Sequence, residues 1–265
     1  MLNWREIHSV LFVPAATKKL SHINDIESDA FIIDLEDAIK TDRKECAYLE
    51  LLDWLEHKYD ETIGKSLILR INKSNIKRES ELFSHKKEIG CIAVPKVESV
   101  DDILNVRKGF PDKDIIALIE TPVGLIHLGE ILKDDTISAV GFGGEDFCVA
   151  MHMQKQREFL IPIKSQLILF ARAYNKWVFD MIESEYDDES KYKEYVYESK
   201  RMGFDGKLTI HPRQVKQVNE VYKRIDRERA QKIISEYENN ENGFVIIDGE
   251  IFEKPHIEAL KMLLN

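Results

Sequence analysis

Two carboxylates in this chain each follow an apolar run and stand beside a turn. Glu120 ends the run within residues 115–124 (IIALIETPVG), before Thr121, Pro122 and Gly124, and Asp146 follows Gly143 and Gly144 within residues 136–147 (TISAVGFGGEDF). Apolar runs of this length bounded by Pro and Gly are core strands more often than helices. The stretch between them, 125–133, has apolar residues at helical spacing, so the unit reads strand, helix, strand. Consecutive strands of such a unit lie parallel and usually adjacent, which brings Glu120 and Asp146 to the same rim. Oxygen ligands alone suit a hard cation, and Mg²⁺ prefers an octahedral oxygen shell partly made of water and substrate. Zinc would want His or Cys, and neither clusters here. Glu120 and Asp146 are therefore the candidate metal ligands, with Glu120 also facing substrate; helix capping or plain surface charge is the alternative.

Other strand ends carry matching groups. Arg70 closes the run 66–71 (SLILRI); arginine is rarely buried without a partner, and a bidentate clamp on a substrate carboxylate is its natural task. The run 30–34 (AFIID) leads into Asp34, Glu36 and Asp37. Alternation puts Asp34 and Glu36 on one side, as groups that hold metal-bound water, with Asp37 as a helix cap; the alternative is a helix start, where negative charge complements the dipole. Lys96, after Pro95, either touches ligand or pairs with Glu98 or the acidic cluster. His211 faces ligand or is a structural histidine under the last loop. GFGGED lacks the spacing and basic residue of a phosphate cradle, and no nucleophile is presented with a base partner, so covalent catalysis is not indicated.

The elements that must position these groups number eight apolar β runs, near residues 10, 30, 67, 91, 115, 137, 177 and 207, about 20 to 40 residues apart with helical patterns between. That is the signature of an α/β protein of the (β/α)8 TIM-barrel type, whose active site is assembled at the C-terminal mouth from several strand ends. Helices are expected over 41–57, 78–88, 125–133 and 163–175, and 183–198 reads as a charge-biased loop; Gly143 and Gly144 permit a tight turn with unusual backbone angles. From about residue 227 the pattern changes: a helix (229–237), a hairpin pair (244–247 and 250–252) around Asp248-Gly249, and a helix opening at Pro255. Asp-Gly favours a two-residue hairpin turn and proline suits the first helical position. The expected division is a catalytic barrel over 1–225 and a helix-hairpin-helix appendage over 226–265.

Composition narrows the partners. The 265 residues are 43% hydrophobic, enough for a core, and 38 basic against 48 acidic residues give a formal charge of −10. With no basic stripe, neither nucleic acid nor an anionic membrane is expected as partner. The start, MLNWREIHSVLFVP, has no signal-peptide pattern, no window approaches the roughly 18 apolar residues of a membrane span, and Cys46, Cys91 and Cys148 lack metal-site spacing. A reduced, cytoplasmic setting is expected.

FIIDLEDAI, RIN, VPKVES, ALIETPVG, GFGGEDF, GFDGKLTIHPRQV and DGEIFEKPHIEAL, in this order, resemble the citrate lyase beta-subunit family within the HpcH/HpaI aldolase superfamily. The resemblance implies a TIM barrel, Mg²⁺ held by Glu120 and Asp146, and Arg70 on a substrate carboxylate. It also implies carbon–carbon lyase or condensation chemistry on acyl thioesters, commonly CoA- or carrier-linked. In such lyases the C-terminal segment reaches a neighbouring subunit's mouth, often in a trimer, and contributes an acidic residue, here Glu253. Three departures from the pattern are His8 before the first strand, Ala15 where glycine is usual, and Glu253 where aspartate is usual. The first two bear on CoA binding; the third lengthens the carboxylate's reach by one methylene, which can misplace a catalytic group. The expected function is a Mg²⁺-dependent lyase or aldolase on a small 2-oxo or 3-hydroxy acid unit, with Arg70, Lys96, Asp34, Glu36 and Glu253 as catalytic candidates. A homo-oligomer, a trimer or its multiple, is expected. A non-CoA substrate, or a binding or assembly subunit without turnover, are the alternatives.

Overall fold

The computed structural model describes residues 2–59, 65–185, 187–222 and 227–264. Its order is β1 (Ser9–Pro14), α1 (Thr17–Leu20), β2 (Ala30–Asp34), α2 (Lys44–His57), β3 (Ser66–Arg70), α3 (Ile76–Phe83), β4 (Ile89–Val94), α4 (Val100–Gly109), β5 (Asp114–Ile119), α5 (Pro122–Ile126), α6 (Leu128–Ile131), β6 (Ile137–Phe142), α7 (Gly144–Ala150), α8 (Arg157–Ala173), β7 (Trp177–Asp180), α9 (Glu189–Met202), β8 (Gly206–Thr209) and α10 (Pro212–Tyr222). The strands pair in sequence order, all parallel, and β8 closes on β1 through Ser9 with Lys207 and Val10 with Leu208. Strands apolar on both faces require cover on both, and a closed barrel ringed by helices supplies it. The (β/α)8 barrel expected from the eight runs is the observed fold.

Side-chain parity sorts the layers, because successive residues of a strand face opposite ways. Ala30, Ile32, Ile68, Ile116, Leu118 and Leu208 pack together inside the barrel, while Phe31, Leu69, Ala117, Ile119 and Val178 pack outward with the helices. Two residues beyond Ile32, Ile68 and Leu118, the inward parity reaches Asp34, Arg70 and Glu120 at the mouth. Asp180 and Lys207 take the outward parity.

Several helix boundaries differ from the periodic reading. The first turn of the 41–57 segment is a 3-10 turn, Thr41–Arg43, before α2. Helix α3 starts at Ile76 and stops at Phe83, α8 starts at Arg157, and in place of one helix over 125–133 two short helices, Pro122–Ile126 and Leu128–Ile131, meet at His127. The charged stretch 183–198 is helical from Glu189 onward: Asp188 caps the start by accepting the Lys191 N–H, left-handed Gly203 ends it, and Tyr192, Val196 and Ser199 form a buried stripe. Composition hid that stripe because three buried positions among many charges barely move the average.

The chain divides by internal contacts into two compact units, Met1–Val221 and Tyr222–Asn265; the boundary expected after residue 225 falls among residues 223–226, outside the described residues. The second unit holds α11 (Arg227–Glu238), β9 (Phe244–Ile247), β10 (Glu250–Glu253) and α12 (Lys254–Leu264). Its strands are antiparallel, joined by Asp248 (φ 53°) and Gly249 (φ 81°), the paired positive φ values of a type I′ turn. Ile233, Val245, Ile247 and Ile257 form its core. No helix of the described residues is long and apolar enough to cross a membrane.

Candidate active site

Asp34 and Arg70 are cross-strand neighbours on β2 and β3, and their pairing organises one side of the mouth. Arg70 Nε and Nη2 donate to Asp34 Oδ1 and Oδ2 at 2.8 and 2.7 Å, the fork geometry of an arginine–carboxylate pair. Its Nη1 lies 2.9 Å from Glu36 Oε2, and its face lies over the Phe12 ring, 5.2 Å from the centroid. Asp34 further accepts the N–H groups of Glu36 (2.8 Å) and Ala38 (3.3 Å). The bidentate edge of Arg70 is thus taken by Asp34, and its Nη1 side faces Glu36. The oxygens of Asp34 are engaged by Arg70 and two backbone N–H groups. Asp37 does not cap a helix: it is exposed, 3.8 Å from Arg70 Nη2 and 3.9 Å from Lys96 Nζ, and α2 starts only at Lys44.

Glu120 occupies the other side, following β5, with 3% exposure. Its Oε2 accepts the Lys96 backbone N–H at 3.2 Å. Lys96 presents that N–H from the left-handed region, φ 47°, a cost of order 1–3 kcal/mol that persists only where surroundings enforce it. The Lys73 ammonium does so by donating to the Lys96 carbonyl at 2.9 Å. Lys96 Nζ lies 3.4 Å from Glu36 Oε1 and 3.9 Å from Asp146 Oδ1. Its partners are thus the acidic cluster and Asp146; Glu98 instead accepts the Thr121 hydroxyl at 2.7 Å. Burial, reinforced by Glu36 and Asp146, pushes Glu120 up to about 8 against the opposing pull of Arg70 and Lys96. Burial also raises Glu36.

The glycines serve space rather than angle. Neither Gly143 nor Gly144 has positive φ, but a Cβ on Gly143 would stand 2.3 Å from Glu120 Cγ, and one on Gly144 would stand 2.4 Å from Met181 Sδ. Asp146, in the first turn of α7, shares with Glu120 and Arg70 a cavity of about 60 Å³ floored by Phe12, Leu118 and Leu208. The donor set fits a hard divalent cation: two carboxylates from adjacent strand ends, one buried and short of positive charge. Among the described residues no three His, Cys, Asp or Glu gather into a metal centre. An ion held here would therefore draw its remaining oxygens from water and substrate, the habit of Mg²⁺.

The mouth brings together Asp34, Glu36, Arg70, Lys96, Glu120 and Asp146. Glu253 belongs to the second unit, where it ends β10, is exposed, and donates its N–H to His256 Nδ1 at 3.0 Å. His211 is built into its own turn, its Nδ1 accepting the Arg213 N–H at 3.2 Å. His8 precedes β1 and so lies at the end of the barrel opposite Glu120, with its N–H on Asp29 and its Nδ1 2.7 Å from the Asp205 carbonyl. A departure at His8 therefore does not touch the mouth.

Three supporting residues escaped the sequence reading. Lys44, buried on α2, donates to the carbonyls of Leu35 and Glu36, the latter at 2.6 Å, and so fixes the loop that carries Glu36. Lys73 fixes Lys96, as above. Glu79, fully buried on α3, accepts the Tyr48 hydroxyl at 2.8 Å and the Asn72 N–H at 2.9 Å, clamping the end of β3; burial lifts it to about 7. For Lys44 and Glu79 a signal existed: Lys44 precedes Tyr48, Leu51 and Leu55, and Glu79 stands between Ile76 and Phe83, at spacings reserved for the inward face.

A second charged cluster lies outside the barrel wall. Asp180 Oδ2 accepts Lys164 Nζ and Lys207 Nζ, each at 3.0 Å, and the Ser199 hydroxyl at 2.5 Å. Burial would raise Asp180, but the two ammonium groups more than offset it and hold the carboxyl well below the usual range.

The HpcH/HpaI aldolase/citrate lyase family model matches residues 8–212. A (3S)-malyl-CoA thioesterase of Cereibacter sphaeroides (strain ATCC 17025 / ATH 2.4.3) is 28% identical over 267 residues, covering 97% of this chain and 93% of the relative. The citrate lyase subunit beta of Haemophilus influenzae is 25% identical over 281 residues, covering 97% and 95%. Among solved structures, CitE of Mycobacterium tuberculosis in complex with magnesium, acetoacetate and coenzyme A superposes with a TM-score of 0.82 over 98% of each chain. Its identity is 22%, so this likeness speaks for the barrel alone. The family match over most of the barrel, on a chain whose strand ends carry the ETP glutamate and GGED aspartate at one mouth, places this protein in the HpcH/HpaI aldolase/citrate lyase family.

Proposed function

We propose that this chain is a Mg²⁺-dependent carbon–carbon lyase that splits a small 3-hydroxy acid thioester into a 2-oxo acid and a shorter acyl thioester. The observation that carries this reading is buried Glu120 beside Asp146, a two-carboxylate seat facing a cavity that Arg70 lines, with Lys96 Nζ 3.9 Å from Asp146. Bound there, Mg²⁺ would supply Lewis-acid polarisation of the substrate oxygens. In the cleavage the hydroxyl proton passes to a base and the carbinol carbon becomes the carbonyl carbon of the 2-oxo acid. The C–C bonding pair moves into the thioester enolate, which is then protonated at carbon. Arg70, held rigid by Asp34 and Phe12, keeps fixed positive charge beside that developing anion, and fixed charge needs no reorganisation at the moment of reaction. Lys96 adds a second, more mobile charge.

Glu253 of a neighbouring copy is proposed as the acid or base, in an assembly of identical chains, a trimer or its multiple. Glu253→Gln should lower turnover while leaving the Mg²⁺-induced rise in Tm intact, and sedimentation should find the oligomer. Thioester hydrolysis is the second reading, favoured by the relatives with thioesterase activity. Malyl-, citramalyl- and citryl-thioesters, offered with Mg²⁺ and with EDTA, separate the two. Cleavage gives a 2-oxo acid and an acyl thioester, whereas hydrolysis gives free thiol and the intact hydroxy acid. Glu120→Gln and Asp146→Asn should each remove Mg²⁺-dependent product, and product formation undiminished by EDTA overturns the proposal.

A further inference from the structure

Among the described residues Glu120 accepts a single hydrogen bond, from the Lys96 N–H to Oε2, and Lys96 gives it from a strained backbone, φ 47°. We infer, resting on the Mg²⁺ seat of the reading above, that Lys73 is a positioning residue for that seat. It touches neither carboxylate; it acts through the Lys96 backbone to aim Glu120, and so sets the affinity for Mg²⁺.

The contacts run in one chain. Lys73 opens the turn Lys73–Asn75, which Asn72 caps by accepting the Ser74 N–H at 3.1 Å, and the Asn72 N–H is itself held by Glu79. From this fixed base the Lys73 ammonium donates to the Lys96 carbonyl at 2.9 Å and lies 2.6 Å from Asp102 Oδ1. Asp102 Oδ2 accepts the N–H groups of Glu98 and Ser99 at 2.9 and 3.2 Å. Lys73 and Asp102 thus grip the two halves of the loop that joins β4 to α4. Between those grips the Val97 N–H donates to the Leu118 carbonyl at 3.2 Å. Helix α5 packs on the Val97 carbonyl so closely that a Cβ on Gly124 would stand 2.2 Å from it.

A left-handed lysine persists only under constraint. Lys96 can relax to negative φ only by turning one of the two peptides that flank it. The Lys73 and Leu118 hydrogen bonds hold the peptide after Lys96; the peptide before it carries the N–H that Glu120 accepts. Without Lys73 the loop loses one of those two holds, and the donor on Glu120 is free to swing away. Hydrogen-bond partners that orient a metal-binding side chain are worth about 10- to 100-fold in metal affinity. The charge of Lys73 works in the opposite direction, because an ammonium near a cation seat repels the cation. If Lys73 acted by charge alone, its removal would tighten Mg²⁺ binding. The sign of the effect therefore separates positioning from electrostatics.

The test titrates the full chain with Mg²⁺ alone, by calorimetry, beside the metal-free Tm. Lys73→Met should weaken Mg²⁺ binding about 10-fold, and Lys73→Arg, which keeps a charged donor, should recover most of that loss. Glycine adopts positive φ without strain, so on a Lys96→Gly background the same Lys73→Met step should cost less than about 3-fold. The Lys73 side chain is one-third exposed, and the metal-free Tm should move little. Unchanged or tighter Mg²⁺ binding in Lys73→Met, or an equal loss on both backgrounds, overturns the inference and leaves the metal seat standing. A chain that does not fold without Lys73 makes the residue structural and overturns its positioning role. A wild-type chain that binds no Mg²⁺ overturns the seat, and the inference with it.

Discussion

The barrel carries two clusters of charge at strand ends, and they differ in what their charges are for. Around Asp180 the charges are opposed at close range: Lys164, Lys207 and Ser199 converge on one carboxylate that points away from the barrel axis, between β7, α8 and α9, and Glu183 lies 3.6 Å from Lys207. At the mouth the acids outnumber the cations, Glu120 is buried without a matching ammonium or guanidinium of its own, and burial drives it up to about 8. The first arrangement pairs its carboxylate with two ammonium groups and holds structure. The second carries a surplus of buried negative charge, which is what the proposed Mg²⁺ seat calls for.

The sharpest way to break this contrast is Lys207→Met. Removing one partner from a fully buried pair leaves charge uncompensated, and the expected loss is roughly 3–5 kcal/mol of stability in denaturant unfolding, with the Mg²⁺-induced rise in Tm retained by what remains folded. A loss under about 1 kcal/mol would mean that the outer cluster is not structural.

Glu79 gives the next largest effect. Burial lifts its folded pKa to about 7, above the ordinary glutamate value of 4.5, so its contribution is fully present below about 4.5 and is lost as pH rises through about 7. The shift corresponds to roughly 3 kcal/mol at most. Comparing wild type with Glu79→Gln by urea unfolding between pH 5 and pH 8, the wild type should lose stability over that window by more than the variant does; parallel curves would remove Glu79 as the titrating group.

Smallest is the effect of Glu120→Gln on the metal-free protein. Neutralising a carboxyl whose charge is already disfavoured should change stability at pH 7 by less than about 1 kcal/mol, in contrast to Lys207→Met. If Glu120→Gln unfolds the protein as readily, the mouth is as structural as the outer cluster.

The legible parts were those encoded by short-range periodicity. Eight apolar runs gave eight strands, and Asp248-Gly249 gave the type I′ turn between β9 and β10. Glu120, Asp146 and Arg70 were singled out because each stands where an apolar run stops. The helix over 189–202 was missed because its buried stripe is thin and its other faces are charged. The pairing of Arg70 with Asp34 is not legible in the sequence, because Asp34 lies 36 positions away and becomes a neighbour only through β2–β3 register.

By itself the sequence determined the alternation of strand and helix, the barrel that alternation closes into, and the side on which each strand-end group falls, since a period of two is a local property of the backbone. Only the tertiary structure decided which of those groups satisfy one another. Asp34 with Arg70, Lys96 with Glu36 and Asp146, and Asp180 with Lys164 and Lys207 are pairings across strands and layers, and the free energy of a charge depends on what surrounds it in space rather than on what precedes it in the chain.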